Sequence, residues 1–182
     1  MSQATDLTRG RGLWALGEVL YRRGDFVAAE RQLREALGTF DEAPLDSAAA
    51  QATLAYIQLA AGRAHDALAS AQVAMAGFET LGSFGFCGAR VHLVYAQALD
   101  AVGQRPRAAE AVEQALTRLH RQADKISDPA FRPRFLRGIA EYEKLVALAI
   151  DWNQALPELQ LPISPLLGSG GNPAPVDSAP AE

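Results

Sequence analysis

The sequence predicts an all-α fold of three helical hairpins in series, closed by one C-terminal helix. Three observations lead there. The segments "LWALGEVLYRRGDFVAAERQLREAL", "ATLAYIQLAAGRAHDALASAQVAM" and "VHLVYAQALDAVGQRPRAAEAVEQAL" align on a shared glycine, at Gly24, Gly62 and Gly103, with periods of 62 − 24 = 38 and 103 − 62 = 41 residues. Apolar residues recur at helical spacing on both sides of each glycine. With 49% hydrophobic and 21% charged residues, the chain has the ordinary mixture of a globular protein able to bury a core.

Each element follows from its residues. Leu13, Leu16 and Leu20 give the first helix its apolar stripe, and Phe26, Ala29, Leu33, Ala36 and Leu37 give the second. Leu54, Ile57 and Leu59 mark the third helix, and Val91, Val94 and Leu99 the fifth. Glycine at the hinge relieves the backbone strain of ending one helix and starting another. Asp25 stands where a helix N-cap belongs, so its carboxylate should accept from free backbone N–H groups. Arg23-Gly24-Asp25 resembles the integrin-binding tripeptide of adhesion proteins, but here it reads as helix end, turn and cap. The expected boundaries are an N-terminal segment 1–9 and a helical domain 10–153, with repeats at about 10–43, 48–81 and 89–122 and a cap at 127–153.

The repeats resemble the tetratricopeptide (TPR) family, whose 34-residue unit carries Leu-Gly in its first helix, Gly at the turn and spaced alanines in its second. Leu16-Gly17, Gly24, Phe26, Ala29, Leu33 and Ala36 match in the first copy. Leu54-Ala55, Gly62, Ala67, Ala71 and Ala74 match in the second, and Tyr95-Ala96, Gly103, Ala108, Val112 and Ala115 in the third. The resemblance implies a right-handed α-solenoid, in which small residues let paired helices approach closely. The extra length over 34 residues falls in "TFDEAPLDS" and "TLGSFGFCGAR".

After the third repeat, Asp128-Pro129 makes a turn and a capping helix is expected from Pro133. Phe135, Ile139, Tyr142, Leu145, Val146, Leu148 and Ala149 form its apolar stripe, suited to covering the last face of a hairpin stack. Asp128, Pro129, Arg132, Phe135 and Leu136 also resemble the end of TPR arrays in bacterial signalling ATPases, cyclases, regulators and kinases. Residues 154–182 read as a disordered tail, because six of the ten prolines and "GSGG" fall from Ala155 onward. Its segment 156–167, "LPELQLPISPLL", is apolar enough to dock on a partner or on the chain's own groove.

The composition excludes several classes. No run approaches the roughly 20 apolar residues of a membrane span, and the N-terminus lacks the apolar core of a secretory signal, so a cytoplasmic location is expected. Cys87 stands alone and cannot form an internal disulfide. Arg outnumbers Lys by 15 to 2, which suggests a GC-rich bacterial source. His65, His92 and His120 show no metal-ligand spacing, "GSFGFCG" lacks a P-loop lysine, and nothing beside Cys87 marks an activated thiol. Neither metal, cofactor nor enzymatic activity is expected. Arg118, Arg121, Lys125, Arg132, Arg134 and Arg137, against Asp124 and Asp128, give segment 117–137 a charge of +4 within a net −4 chain. That stretch is read as a solvated basic surface or an anion site, and nucleic acid is disfavoured because no aromatic ladder accompanies it.

The family resemblance implies a binding surface on the concave side, lined by the first helix of each hairpin. In the glycine register these positions are Arg11, Trp14, Glu18 and Tyr21, then Ala49, Ala52, Tyr56 and Leu59, then Arg90, Leu93, Gln97 and Asp100. Trp14, Tyr56 and Leu59 are expected as apolar anchors, and Arg11 and Arg90 as holders of a partner carboxylate. The resulting expectation is a non-catalytic module that binds a protein or peptide partner. A peptide or small-ligand sensor and a self-assembling subunit are the alternatives.

Overall fold

The computed structural model describes residues 3–80 and 88–152, and every regular element in them is helical. In order these are α1 (Gln3–Arg22), α2 (Phe26–Leu37), α3 (Pro44–Ala60), α4 (Ala64–Thr80), α5 (Gly88–Ala101) and α6 (Arg105–Asp124). A 3₁₀ turn (Pro129–Phe131), α7 (Arg132–Arg137) and α8 (Ala140–Asp151) follow. Cys87, most of "GSFGFCG" and the tail from residue 153 lie outside the described residues.

One turn geometry occurs three times. Gly24, Gly62 and Gly103 have φ of 81°, 75° and 81°, and they are the positive-φ glycines among the described residues. Beyond each glycine an N–H reaches back five residues: Asp25 to the Leu20 carbonyl at 3.0 Å, Arg63 to Gln58 at 2.9 Å and Gln104 to Leu99 at 2.8 Å. Each glycine N–H donates three residues back at 2.9 Å, to Tyr21, Leu59 and Asp100. This pair of bonds satisfies carbonyls that the helix end leaves open, and it needs the left-handed backbone that glycine adopts without strain. Asp25 then caps α2, its carboxylate accepting from Ala28 N–H at 3.0 Å.

The hinges bring small residues together. Ala29, Ala67 and Ala108 each stand five residues past a hinge and are fully buried, as are Leu33, Ala71 and Val112 nine residues past. Gly17 packs so closely on α2 that a methyl group there would clash with Leu33 Cδ2 and come within 3.3 Å of the Ala29 carbonyl. The core forms three clusters, the last two sharing Tyr56, Tyr95 and Trp152 at their border. The first joins α1, α2 and α3 through Leu13, Leu20, Leu33, Leu54 and Ile57; the second joins α3 to α6 through Ala55, Phe78, Val94, Leu99 and Ala108. In the third, Leu93, Val112, Leu116 and Leu119 meet Leu136, Tyr142 and Leu145 of α7 and α8. Burying side chains of this size contributes about 1.5–3 kcal/mol each relative to exposure.

Several expected boundaries are corrected. Residues 3–9, read as a separate segment, continue α1. The second hairpin starts at Pro44, ahead of residue 48, because proline fits the first helical turn where its missing N–H costs nothing. The expected single cap helix from Pro133 is two helices. α7 ends at Arg137 with Gly138 as its C-cap, and Ile139 is extended at φ −96°, ψ 106°, its side chain packing on the third cluster before α8 begins. Arg132 fixes this corner by donating to the Asp124 and Ile126 carbonyls at 3.3 and 3.1 Å, at the C-terminal end of α6. Leu16, read as part of an apolar stripe, is 46% exposed and Val19 is 52% exposed, since among the described residues no helix covers that face of α1.

Candidate functional site

A cavity of about 730 Å³ opens where α1 faces the N-terminal ends of α3, α5 and α8 and the C-terminal part of α6. Of the positions expected on the concave side, Arg11, Trp14, Glu18, Ala49 and Arg90 line it. Tyr21, Ala52, Tyr56, Leu59, Leu93, Gln97 and Asp100 do not. Leu93 and Ala52 have no exposed surface and belong to the core, so neither can meet a partner. Asp100 pairs with Arg105 in the next helix. Tyr56 is partly buried, and its hydroxyl pKa is raised by that burial and by nearby Glu141, against the lowering effect of Arg90.

The arginines are engaged by the chain's own carboxylates, which revises the expectation that they wait for a partner's. Arg11 binds Asp46 in a two-pronged pair, Nε to Oδ1 at 2.7 Å and Nη2 to Oδ2 at 3.0 Å. Arg90 spans further. Its Nη1 donates to Glu18 at 3.0 Å and its Nε to Glu141 at 3.1 Å, so one side chain of α5 ties α1 to α8. Desolvation opposes the Arg90 charge, but the two carboxylates outweigh it and its pKa is raised. Trp14 donates its indole N–H to Thr53 Oγ1 at 3.0 Å, fixing the ring plane at the cavity wall.

Apolar groups supply most of the rest. Phe78, Leu119, Phe135 and Ile139 line the cavity along with alanines at 15, 49, 89 and 115. Gly88 abuts Phe78 so tightly that a Cβ would clash with the ring, and this lets the start of α5 approach the end of α4. His92 is 3% exposed and stands edge-on to Phe78 at a centroid distance of 5.6 Å. Burial lowers its pKa, overriding the raising effect of its bond to the Gly88 carbonyl.

The basic side chains of segment 117–137 have different surroundings. Arg118 turns into the cavity with its guanidinium 5.0 Å over the Phe78 ring. Arg132 joins the α6 end and Arg134 stacks 5.5 Å over Phe131, while Arg121, Lys125 and Arg137 are exposed. Sequence reasoning missed Asp46, Phe78, His92, Ile139 and Glu141. For Asp46 a signal existed, an acidic residue in the first turn of a helix; for the others the position depends on how successive helices are rotated against one another. Among the described residues no group of three or more His, Cys, Asp or Glu could hold a metal, and no helix is long and apolar enough to cross a membrane. Comparison of the chain with protein-family models, with curated proteins and with solved structures finds no match.

Proposed function

We propose that the chain is a non-catalytic interaction module of the TPR type, a right-handed α-solenoid of three hairpins plus a C-terminal cap. It recruits or regulates a protein partner from its concave side, acting in the cytoplasm of a bacterium and, by the resemblance of its capping segment, in signalling or transcriptional control. The observation that carries the reading is the threefold recurrence of one hinge, with positive-φ glycine, back-bonded N–H and fully buried alanine at the same offsets. Identical hinges in series are how a stack of hairpins generates a curved surface for binding. The partner meets the wall formed by Trp14 and its neighbours, with the aromatic ring as anchor.

Affinity capture from the native host tests this, comparing the wild type with Ala15→Trp. Ala15 is an exposed helix position on the cavity wall, so the bulky ring obstructs the site without entering the core. Proteins held by the wild type and lost from Ala15→Trp support the reading; an identical set on both removes it.

A second reading, a receptor for a small ligand, is favoured by the cavity itself. Its volume falls within the roughly 300–1,000 Å³ of small-molecule sites, and its lining is mainly apolar with a few fixed polar groups. A ligand seated there touches α1, α5 and the α7–α8 corner together, and so biases the arrangement of both ends of the fold.

A further inference from the structure

The contact between hairpins recurs as regularly as the hinge. Five, eight and twelve residues before Gly62 stand Ile57, Leu54 and Ala50, all buried, in the cluster that holds Ala29, Leu33 and Ala36 of α2. At the same distances before Gly103 stand Ala98, Tyr95 and Val91. Ala98 and Val91 are buried in the cluster that holds Ala67, Ala71 and Ala74 of α4, and Tyr95 packs against it. Through these positions the first helix of a hairpin meets the second helix of the hairpin before it. In α1 the equivalents before Gly24 are Val19, Leu16 and Gly12, and all three are exposed. The face that receives a helix in the other two repeats is present in α1, and among the described residues no helix fills it.

Its residues indicate what fits. Thr5, Thr8, Gly12, Leu16 and Val19 follow one another at spacings of three or four residues, all exposed and none charged, over about 22 Å of helix. Leu16 and Val19 do not line the cavity, so this face can be covered without closing the site around Trp14. The face is also complementary to itself. When two copies of α1 lie antiparallel about a two-fold axis level with residue 14, Gly12 of each stands opposite Leu16 of the other. An added Cβ at Gly12 meets nothing within 4 Å in the chain, which leaves a recess for that leucine. The same register sets the first turn, which carries Asp6, beside the last turn of the other copy, which carries Arg22, and neither residue forms an ion pair among the described residues. Each of these contacts occurs twice, as two-fold symmetry requires.

We propose that the exposed face of α1 is a docking surface for a second copy of this chain, the two α1 helices packing antiparallel with Leu16 of each seated over Gly12 of the other. One pair of helices buries less than the roughly 1,200 Å² at which standard interfaces begin, so the dimer is weak, with a Kd on the order of 10–100 µM. The chain is therefore a monomer when dilute and a dimer when concentrated. The cavity stays open in both states.

Sedimentation velocity of the full chain, from about 1 to 500 µM, is expected to show a monomer passing to a dimer. Leu16→Glu with Val19→Glu should weaken that dimer at least about tenfold, by burying charge in an apolar contact. Val27→Glu is the control, because Val27 is exposed on α2 and its equivalents His65 and Pro106 stay exposed beside neighbouring hairpins; it should leave the dimer unchanged. Gly12→Leu separates seated packing from general adhesion. It enlarges the apolar face but fills the recess, so it should weaken the dimer, whereas adhesion without register would be tightened. All four positions are exposed, and circular dichroism checks that each variant folds. A monomer at every concentration overturns the proposal, as does association that survives Leu16→Glu with Val19→Glu or tightens in Gly12→Leu.

Discussion

Replacing Gly62 with alanine adds one methyl group at a residue whose φ is +75°, and nothing lies within 4 Å of the new carbon. Any destabilisation must therefore come from the backbone. Left-handed conformation costs a non-glycine residue about 1–2 kcal/mol, and the stiffer unfolded chain of the alanine variant returns about 0.4–1 kcal/mol. A net loss of about 1 kcal/mol is expected. Gly12 supplies the control, since it lies inside α1, is exposed, and also has nothing within 4 Å of an added Cβ. There alanine should stabilise by about 0.5–1 kcal/mol, because glycine is the poorer helix former. The same chemical change thus has opposite signs at two open sites, with a spread of about 1.5–2 kcal/mol. Urea unfolding followed by far-UV circular dichroism reads this as midpoint shifts in opposite directions at constant slope. Gly62→Asn should lose less than Gly62→Ala, because asparagine tolerates the left-handed region. If Gly62→Ala is as stable as the wild type, or if Gly12→Ala is equally damaging, the hinge argument is wrong.

Three further outcomes follow from the packing and the ion pairs. Gly17→Ala should cost more than Gly62→Ala, about 1–3 kcal/mol by overpacking against the fully buried Leu33, measured by the same urea titration. Glu30 receives hydrogen bonds from Arg63, Arg34 and Gln58, and the Arg63 bond, the largest influence, lowers its pKa from 4.5 to about 2. A carboxylate depressed on folding stabilises the protein fully above about pH 4.5 and loses that stabilisation as pH falls toward 2. Because the Arg63 side chain is 40% exposed and screened, about 1 kcal/mol is expected; thermal melts of Glu30→Gln should show a flatter acid limb than the wild type. Arg90→Met leaves Glu18 and Glu141 without their shared cation, and a loss of about 1–2 kcal/mol is expected, partly restored in the Glu18→Gln, Glu141→Gln background.

Helix content and the hinges could be read from the sequence because both are local. A glycine in the left-handed region, an aspartate capping the next helix and small residues at fixed offsets from each hinge are set within one or two turns of chain. The candidate site was readable only in part. Arg11, Trp14, Glu18 and Arg90 stand on the cavity wall, but the partners Asp46, Thr53 and Glu141 lie 35 to 51 residues from the groups they meet. Such pairings depend on how far successive hairpins rotate, and no short-range pattern encodes that rotation. Leu93 shows the same limit. Its offset from Gly103 suits a groove, yet α6 and α8 close over it. The break at Gly138 was hidden by an apolar stripe that runs on through Ile139, since periodicity records which residues face inward and not whether the helix between them is continuous.

Site-specific photo-crosslinking in the native host tests most directly whether the cavity wall is the binding surface. A benzophenone side chain placed at Ala15, beside Trp14, should crosslink to a bound molecule, while the same group at Val27, 84% exposed on α2 and away from the cavity, should not. Crosslinks from position 27 with none from position 15 would contradict the account.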